Sequence, residues 1–402
     1  MNIVITSLFG LERLVREDLE AIGYDSSDIS VSDGVVVLKV ADTSEALATA
    51  VARTNMWVRR GERVYFEVGS FTARTFDDYF DGFASISWGD YIPRDYSIII
   101  NGFSRKSDLF GIPACQSLGK KAIIKSLQAY RGLGPNSIIN EDRDVGEIKI
   151  QFGIVNNIVS VMIEPSGDGL HKRGYRPLTH DAPIKETLAA GMVSLARYSP
   201  FGNEALVDPF CGSGTILIEA ALMAVNAAPG RNRHFAYEKL PYIGVNPYKL
   251  ALEEAHDLED FTPLDDMYFI GSDIDPKAIS NARNNARMAG LESFISFSVM
   301  DAARRPSKLL PAQTGFDRNL VLTNPPYGGR LLTEEEAARI YQIIRNNYLG
   351  SDGHCLKGCR LSVITPDDTF ETVNQIKADK RVKLYNGNIR CQLNNFYKLS
   401  KD

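Results

Sequence analysis

The sequence predicts an α/β chain whose C-terminal half is a mostly parallel sheet with helices on both faces, preceded by two smaller α+β units. Three observations carry that expectation. From about residue 180, short apolar runs alternate with long amphipathic stretches, the mark of consecutive βα units. Before that point the runs are closely spaced and include a hairpin pattern with Asn156 and Asn157 at its turn. At 402 residues the chain is too long for one ordinary domain and suits two or three.

The elements follow in order. NIVITS reads as a strand, and LERLVREDLEAIG as a helix with apolar residues at helical spacing and a Gly at its end. ISVSDGVVVLKV, SEALATAVARTN and RVYFEVGSF continue a β-α-β-α-β order that suits a ferredoxin-type layer. A second unit runs through YSIIINGFS, the helix PACQSLGKKAIIKSLQAY and the hairpin GEIKIQFGIVNNIVSVMIEPS. Gly, Pro and charge then cluster in EPSGDGLHKRGYRPLTHDAP, which sets a boundary. Beyond it come the helix KETLAAGMVSLARYS, the strand EALVDPF and a direct turn into the helix CGSGTILIEAALMAV. Further βα units follow through YFIGSDIDPKAISNARNNARMAG, SFISFSVMDA, DRNLVLTNPPYGG, TEEEAARIYQIIRNNYLG and CRLSVITPD. The end, with two β runs around Asn386 and Gly387, predicts an antiparallel edge hairpin.

Composition excludes some classes of protein. With 44% hydrophobic and 24% charged residues the chain has the makeup of a soluble globular protein. No apolar run approaches the roughly 20 residues of a membrane helix, and MNIVITSLFGLERL lacks the basic start of a signal peptide, so a cytoplasmic location is expected. Five scattered cysteines argue against a disulfide framework, and His354, Cys355 and Cys359 lack a second pair of ligands, so no metal site is expected. The net charge of −5 is unevenly spread. LEEAHDLEDFTPLDD holds seven acids and no Lys or Arg, whereas residues 100–131 hold six Lys or Arg against the single Asp108. The sign of the whole therefore decides nothing about partners.

In an open parallel sheet, ligands sit beyond the carboxyl ends of the strands. Three segments place acids there. Asp208-Pro209-Phe210-Cys211-Gly212-Ser213-Gly214-Thr215 puts an acid before a loop in which two glycines let backbone N–H groups approach a ligand. Its spacing is neither GxGxxG nor a P-loop, and an acid in front of the loop repels phosphate and welcomes an amine. Asp273, followed by Ile274, can accept hydrogen bonds from a ribose diol, while Asp275 suits the N-cap of the next helix with Pro276 at its first position. Asp301, followed by Ala302, can accept an adenine amine. Any one of these acids alone is more often a helix cap; together they outline a pocket for an adenosine carrying an amino acid.

That combination resembles the class I S-adenosylmethionine-dependent methyltransferases, and Asn324-Pro325-Pro326-Tyr327 resembles the motif of those that methylate a planar amine or amide nitrogen. LHKRGYRP, APIKETLAAG, DPFCGSGTILIEAA, GSDIDPKAISNARNNA, NPPYGGRL and LYNGNIRCQL all look like the bacterial 23S ribosomal RNA guanine-N2 methyltransferases of the RlmL type, and PACQSLGKKAIIKSL looks like a THUMP helix. The resemblance implies a ferredoxin-like unit over 1–62, a THUMP domain over 63–166 and a Rossmann-like catalytic domain with a seven-stranded sheet over 167–402. It implies S-adenosylmethionine as cofactor, with Asp208, Gly212 and Gly214 at its methionine part, Thr187 at the methionine carboxylate, Asp273 at the ribose and Asp301 at the adenine amine. Pro209, Cys211, Ser213, Thr215, Ile274, Ala302 and Asn324 complete the expected cofactor set. The segment from Met223 to Asp266 is a long insert, of which KLPYIGVNPYK matches nothing in the family pattern.

The exocyclic nitrogen of guanine is a poor nucleophile because its lone pair is delocalised into the ring. Asn324 and the carbonyl of Pro325 can accept its two N–H bonds and aim the lone pair, with Tyr327 as a stacking face and the prolines holding both acceptors in place. The motif does not itself choose among adenine N6, guanine N2 and a glutamine side-chain amide. Basic residues Arg105, Lys106, Lys120, Lys121 and Lys125, with Lys172 and Arg173 at the boundary, favour RNA, ribosomal before transfer RNA. The bland alternatives are a solvated helix face for the lysines and ion pairs across the junction for Lys172 and Arg173.

Overall fold

The structure is a computed structural model describing residues 1–176, 184–199, 202–327, 333–366 and 368–401. Residues 328–331 of NPPYGGRL and residues 177–183 of the boundary segment lie outside that set. Two seven-stranded sheets organise the described residues. The first is built from β1 (Asn2–Ser7), β2 (Ile29–Ser32), β3 (Val35–Lys39), β4 (Gly61–Thr72), β5 (Tyr96–Arg105), β6 (Asp142–Val155) and β7 (Ile158–Ile163), in the order β2-β3-β1-β4-β7-β6-β5. Helices α1 (Glu12–Ala21), α2 (Ser44–Trp57), α3 (Phe76–Ala84), α4 (Trp88–Tyr91) and α5 (Ile112–Tyr130) accompany it.

One expectation changes here. ISVSDGVVVLKV is not one strand but the hairpin β2–β3, because Gly34 at φ +73 takes the left-handed turn conformation and lets Ile29 pair with Leu38. The unit is therefore β-α-β-β-α-β. The division expected between 1–62 and 63–166 falls inside β4, which pairs antiparallel with β1 on one side and β7 on the other. A twelve-residue strand is long enough to serve both halves, and one core runs beneath them. At the β6–β7 turn, Asn156 and Asn157 take positive φ, as expected of a two-residue hairpin turn.

The second sheet comprises β8 (Ala205–Asp208), β9 (Phe269–Asp273), β10 (Ile295–Val299), β11 (Asn319–Thr323), β12 (Cys359–Pro366), β13 (Lys380–Asn386) and β14 (Ile389–Phe396). Its order is β10-β9-β8-β11-β12-β14-β13, parallel from β10 to β12 and closed by the antiparallel β13–β14 edge hairpin. One face carries α6 (Glu186–Leu195), α7 (Thr215–Ala224) and, after α8 (Asn246–Asp257), α9 (Pro276–Met288); the other carries α10 (Leu310–Thr314), α11 (Glu334–Tyr348) and α12 (Thr369–Asn374). β8 and β11 are buried at every residue, as strands covered on both faces must be.

The unmatched insert acquires a structural role. Phe235, Tyr237, Ile243, Tyr248 and Ala251 leave the catalytic domain and bury themselves in the core of the first sheet. Arg53 on α2 holds Glu254 on α8 with two hydrogen bonds of 2.6 and 2.9 Å. Much of the acidic run thus lies on or beside a helix docked against the accessory half. Among the described residues no helix is long and apolar enough to cross a membrane.

Candidate active site

Strand register brings the predicted residues together. In β10-β9-β8-β11 the sheet order reverses between β8 and β11, and the carboxyl ends of these four neighbours carry Asp301, Asp273, Asp208 and Asn324 respectively. Cross-strand pairing sets Val299 beside Asp273 and Asp208 beside Gly271, so the ends are in step. A ligand crevice belongs at such a reversal.

Asp208 is 1% exposed. Its Oδ1 accepts the Thr323 hydroxyl at 2.7 Å and the Phe210 amide at 3.1 Å. Burial, with the charge of Asp273 added, outweighs those bonds and pushes the carboxyl up to about 7. A buried acid near neutrality, with no cation beside it, is suited to receive a ligand amine. Beyond it Gly212 has φ +51, and a Cβ there would meet nothing within 4 Å, so the loop opens onto empty space. Gly214 has φ +80, and a Cβ would come within 2.9 Å of the Phe297 ring, so the turn into α7 requires glycine. Ser213 and Thr215 share a hydroxyl hydrogen bond of 3.1 Å, and Asn285 donates to the Ser213 carbonyl at 3.0 Å. Pro209 and Cys211 are buried, and burial raises the Cys211 thiol far above the range of a reactive thiolate.

Asp273 accepts the Gly212 amide at 3.0 Å with Oδ2 and the Asp275 amide at 3.0 Å with Oδ1, which joins the first two strand-end loops. Ile274 beside it is 70% exposed, an apolar surface ready for a planar ring. Asp275 caps α9 through the Lys277 amide at 2.9 Å, as expected. Asp301 likewise accepts the Ala303 amide at 2.9 Å, so it caps a short turn containing the buried Ala302. Thr187 lies in the first turn of α6, fully buried, and donates its hydroxyl to Glu62 of the accessory sheet at 2.6 Å. This ties the accessory half to the start of α6, a contact with no signal in the sequence.

Asn324 Oδ1 is buried and accepts no hydrogen bond among the described residues. A side-chain carbonyl left so costs about 1–3 kcal/mol unless a ligand completes it. It stands directly after the buried β11 and is followed by the buried Pro325. Tyr327 Oη accepts a 2.7 Å hydrogen bond from Asn386 Nδ2 in the edge hairpin. Thr323 and Asn386 are the neighbours that sequence reasoning missed; the first adjoins the motif, but the second is some 60 positions away and only the sheet order joins them.

The basic residues divide. Arg105, Lys106, Lys121 and Lys125 are exposed, Lys125 lying 5.2 Å from the Phe80 ring centre. Lys120 is paired with Glu141 at 2.8 Å. At the junction the expectation of RNA contact fails for Arg173, which is 3% exposed and donates to the carbonyls of Arg59 and Leu170. Its charge faces Glu219, which is fully buried, also faces Arg59 and accepts the Tyr175 hydroxyl at 3.0 Å. Lys172 remains partly exposed, bound to Asp168 at 2.8 Å. Burial lowers neighbouring His171 to about 4, so it is neutral near pH 7. The junction is an internal ionic seam.

Cavities of 390 and 680 Å³ lie away from the strand ends. The first follows the seam near Trp57 and Arg59, and the second lies at the opposite end of the sheet near Asn319 and Arg360.

Residues 173–395 match the RMKL-like methyltransferase domain and residues 2–65 the RlmL ferredoxin-like domain. The chain belongs to the RMKL-like methyltransferase family. It is 34% identical to Bacillus subtilis YpsC, provisionally named an RNA methyltransferase, over 97% of this chain and 94% of that one. It is 30% identical to the ribosomal RNA large subunit methyltransferase K/L of Vibrio parahaemolyticus over 96% of its length but only 52% of the relative's, so it spans about half of that protein. The crystal structure of SMU.472, provisionally a methyltransferase and complexed with SAH, superposes with a TM-score of 0.83 at 32% identity, covering 100% of this chain and 99% of that one. A Listeria monocytogenes structure, named as an N6-adenine-specific DNA methylase, gives 0.83 at 35% identity, covering 98% and 96%. The fold of this RMKL-like member is thus the S-adenosylmethionine-binding one, and the open Gly212 loop and the uncompensated Asp208 fit that group.

Proposed function

We propose that the protein transfers a methyl group from S-adenosylmethionine to the exocyclic N2 of a guanosine in RNA, most plausibly large-subunit ribosomal RNA. The observation that carries the reading is the buried, unpartnered Oδ1 of Asn324 at the sheet reversal, one residue before the Pro325 carbonyl. Two acceptors side by side receive the two N–H bonds of a planar amine. They turn its lone pair out of conjugation, and they stabilise the positive charge that grows on nitrogen as the N–CH₃ bond forms. The target base leaves its stack and lies against Tyr327, whose ring is steadied by Asn386. When bound, the cofactor supplies an activated methyl. Asp208 would hold its ammonium, Asp273 its ribose and Asp301 its adenine amine, whereas the Thr187 hydroxyl, expected at the methionine carboxylate, is given to Glu62. The proton on nitrogen departs to water after transfer.

RNA is favoured by the names of YpsC and the K/L relatives and by the exposed Arg105, Lys106, Lys121 and Lys125 on the part of the chain that resembles a THUMP domain. Transfer RNA is the nearest other substrate. The same two acceptors serve adenine N6, the atom in the Listeria protein's name. The experiment is transfer from labelled S-adenosylmethionine to ribosomal RNA, transfer RNA and DNA, each from cells lacking the protein, followed by nucleoside analysis. N2-methylguanosine in ribosomal RNA is expected. Label only in N6-methyladenosine, or in none of the three pools, would overturn the reading.

A further inference from the structure

The β13–β14 edge hairpin has so far only closed the sheet, yet its tip reaches the catalytic loop. Asn386, in the turn, donates to Tyr327 Oη at 2.7 Å. The residue before it, Tyr385, meets the ring of Phe9 with centroids 5.9 Å apart and planes at 56°. Phe9 comes from the other half of the molecule, in the loop after β1. That loop is pressed against the hairpin: a Cβ on Gly10, at φ +92, would stand 2.5 Å from the Lys383 carbonyl, so only glycine permits the approach. The two sheets therefore meet in an aromatic pair one residue along β13 from the Asn386 that holds Tyr327, on the opposite face of the strand, and Phe9 remains 51% exposed.

Charge on the hairpin points the same way. Arg381 is engaged by Glu371 at 2.7 Å and Lys398 by Asp379 at 3.1 Å. Lys383, two residues before Tyr385 and so on the same face of the strand, is exposed, and no carboxylate lies within ion-pair distance of it among the described residues. Lys380 at the start of β13 is likewise exposed. A half-exposed aromatic pair flanked on its own face by a lysine that no carboxylate engages among the described residues is the composition of a single-strand nucleic-acid platform.

Extruding a base from its stack gives the physical need for one. The nucleotides on either side lose their stacking partner and require a replacement surface near the catalytic loop. We infer that Phe9 and Tyr385 form that surface, stacking on the RNA that flanks the target nucleotide, with Lys383 on the same face drawing its phosphates along the edge strand. The inference rests on the RNA reading above. It assigns a contact separate from α5, which packs on β5 at the opposite edge of the first sheet from the β2–β3 hairpin.

The test uses the full chain and extracted ribosomal RNA. Phe9→Ala with Tyr385→Ala is expected to raise KM for RNA about tenfold, with kcat within about twofold and SAH affinity by calorimetry unchanged. Phe9→Tyr with Tyr385→Phe, which keeps both rings, should restore KM. Lys383→Glu, on the surface and harmless to folding, should raise KM more at low salt than at high salt. Unchanged KM in both the double alanine variant and Lys383→Glu, with active wild type, overturns the inference while the proposed activity stands. A wild type that methylates DNA or protein but no RNA overturns the activity, and this inference with it.

Discussion

Buried polar groups occur in two places, the strand ends of the second sheet and the seam between the halves, and they are treated differently. At the seam, charges meet partners: Asp18 takes the amides of Arg59 and Arg60 at 3.0 and 2.9 Å and the Arg60 guanidinium at 3.0 Å, while Glu219 lies between Arg59 and Arg173. At the strand ends, among the described residues, Asp208 has no cation beside it and Asn324 Oδ1 has no donor. Both regions are equally hidden from water, so burial alone distinguishes nothing. The seam is compensated in charge even where its hydrogen bonds are incomplete, as at Glu219 Oε2, Arg59 Nη1 and Arg173 Nε, whereas a buried acid without an opposite charge beside it marks a place where a ligand completes the set.

The sharpest way to break that contrast is at the seam. Glu219→Ala takes away the carboxylate that lies between two buried guanidinium groups and should destabilise the chain by about 3–5 kcal/mol, seen as a lower denaturant midpoint. A loss below 1 kcal/mol would mean that water already compensates the arginines. At the strand ends the expected effect is on rate rather than stability. Asn324→Ala should lower kcat by about 10²–10³-fold, as removal of one preorganised polar group does, with SAH and RNA affinities within a fewfold. Equal losses in kcat and in SAH affinity would place Asn324 on the cofactor and not on the acceptor nitrogen.

Asp208 sharpens the contrast through pH. Its carboxyl stands near 7 in the folded chain against the ordinary value of 3.8. Between those values the folded chain holds the proton that the unfolded chain has released, so this group's contribution to stability falls as pH rises and is fully unfavourable above about 7. Asp208→Asn should therefore stabilise the ligand-free protein by about 1–3 kcal/mol at pH 8 and by almost nothing at pH 4, while weakening SAH binding about 10–100-fold. Wild-type SAH affinity should rise from pH 6 to 8 as the carboxylate forms. A pH-independent affinity would show that the ligand amine bonds elsewhere.

How much of this could be read in advance follows the same division. The strand-end residues were legible because a parallel sheet sends its ligand groups to one edge, so Asp208, Asp273, Asp301 and Asn324 only had to end consecutive βα strands. Helix caps such as Asp275 were legible because capping is local. The seam was not. Arg173 reads as a surface cation in GLHKRGYRP, and only the pairing of β4 with both β1 and β7, with α7 packed behind, turns its side chain inward toward Glu219. The β2–β3 turn was missed because Ser-Asp-Gly interrupts an apolar run too briefly to separate a hairpin from a bulged strand. Asn386 was missed because its link to Tyr327 depends on β14 lying between β12 and β13, a matter of topology with no local trace.

The smallest effect tests whether the same distinction holds on the surface. Lys120 and Lys121 are consecutive on α5, but Lys120 gives its charge to Glu141 at 2.8 Å, whereas Lys121 is exposed. Lys121→Ala should leave thermal stability unchanged and reduce the slope of log affinity against log salt by about one, the signature of a lost phosphate contact. Lys120→Ala should leave that slope nearly intact and cost at most about 1 kcal/mol of stability, since its pair is 40% and 21% exposed and screened by solvent. If both substitutions change the salt slope equally, then Lys120 leaves Glu141 for the RNA, and compensation would discriminate binding from structure only in the buried parts of the molecule.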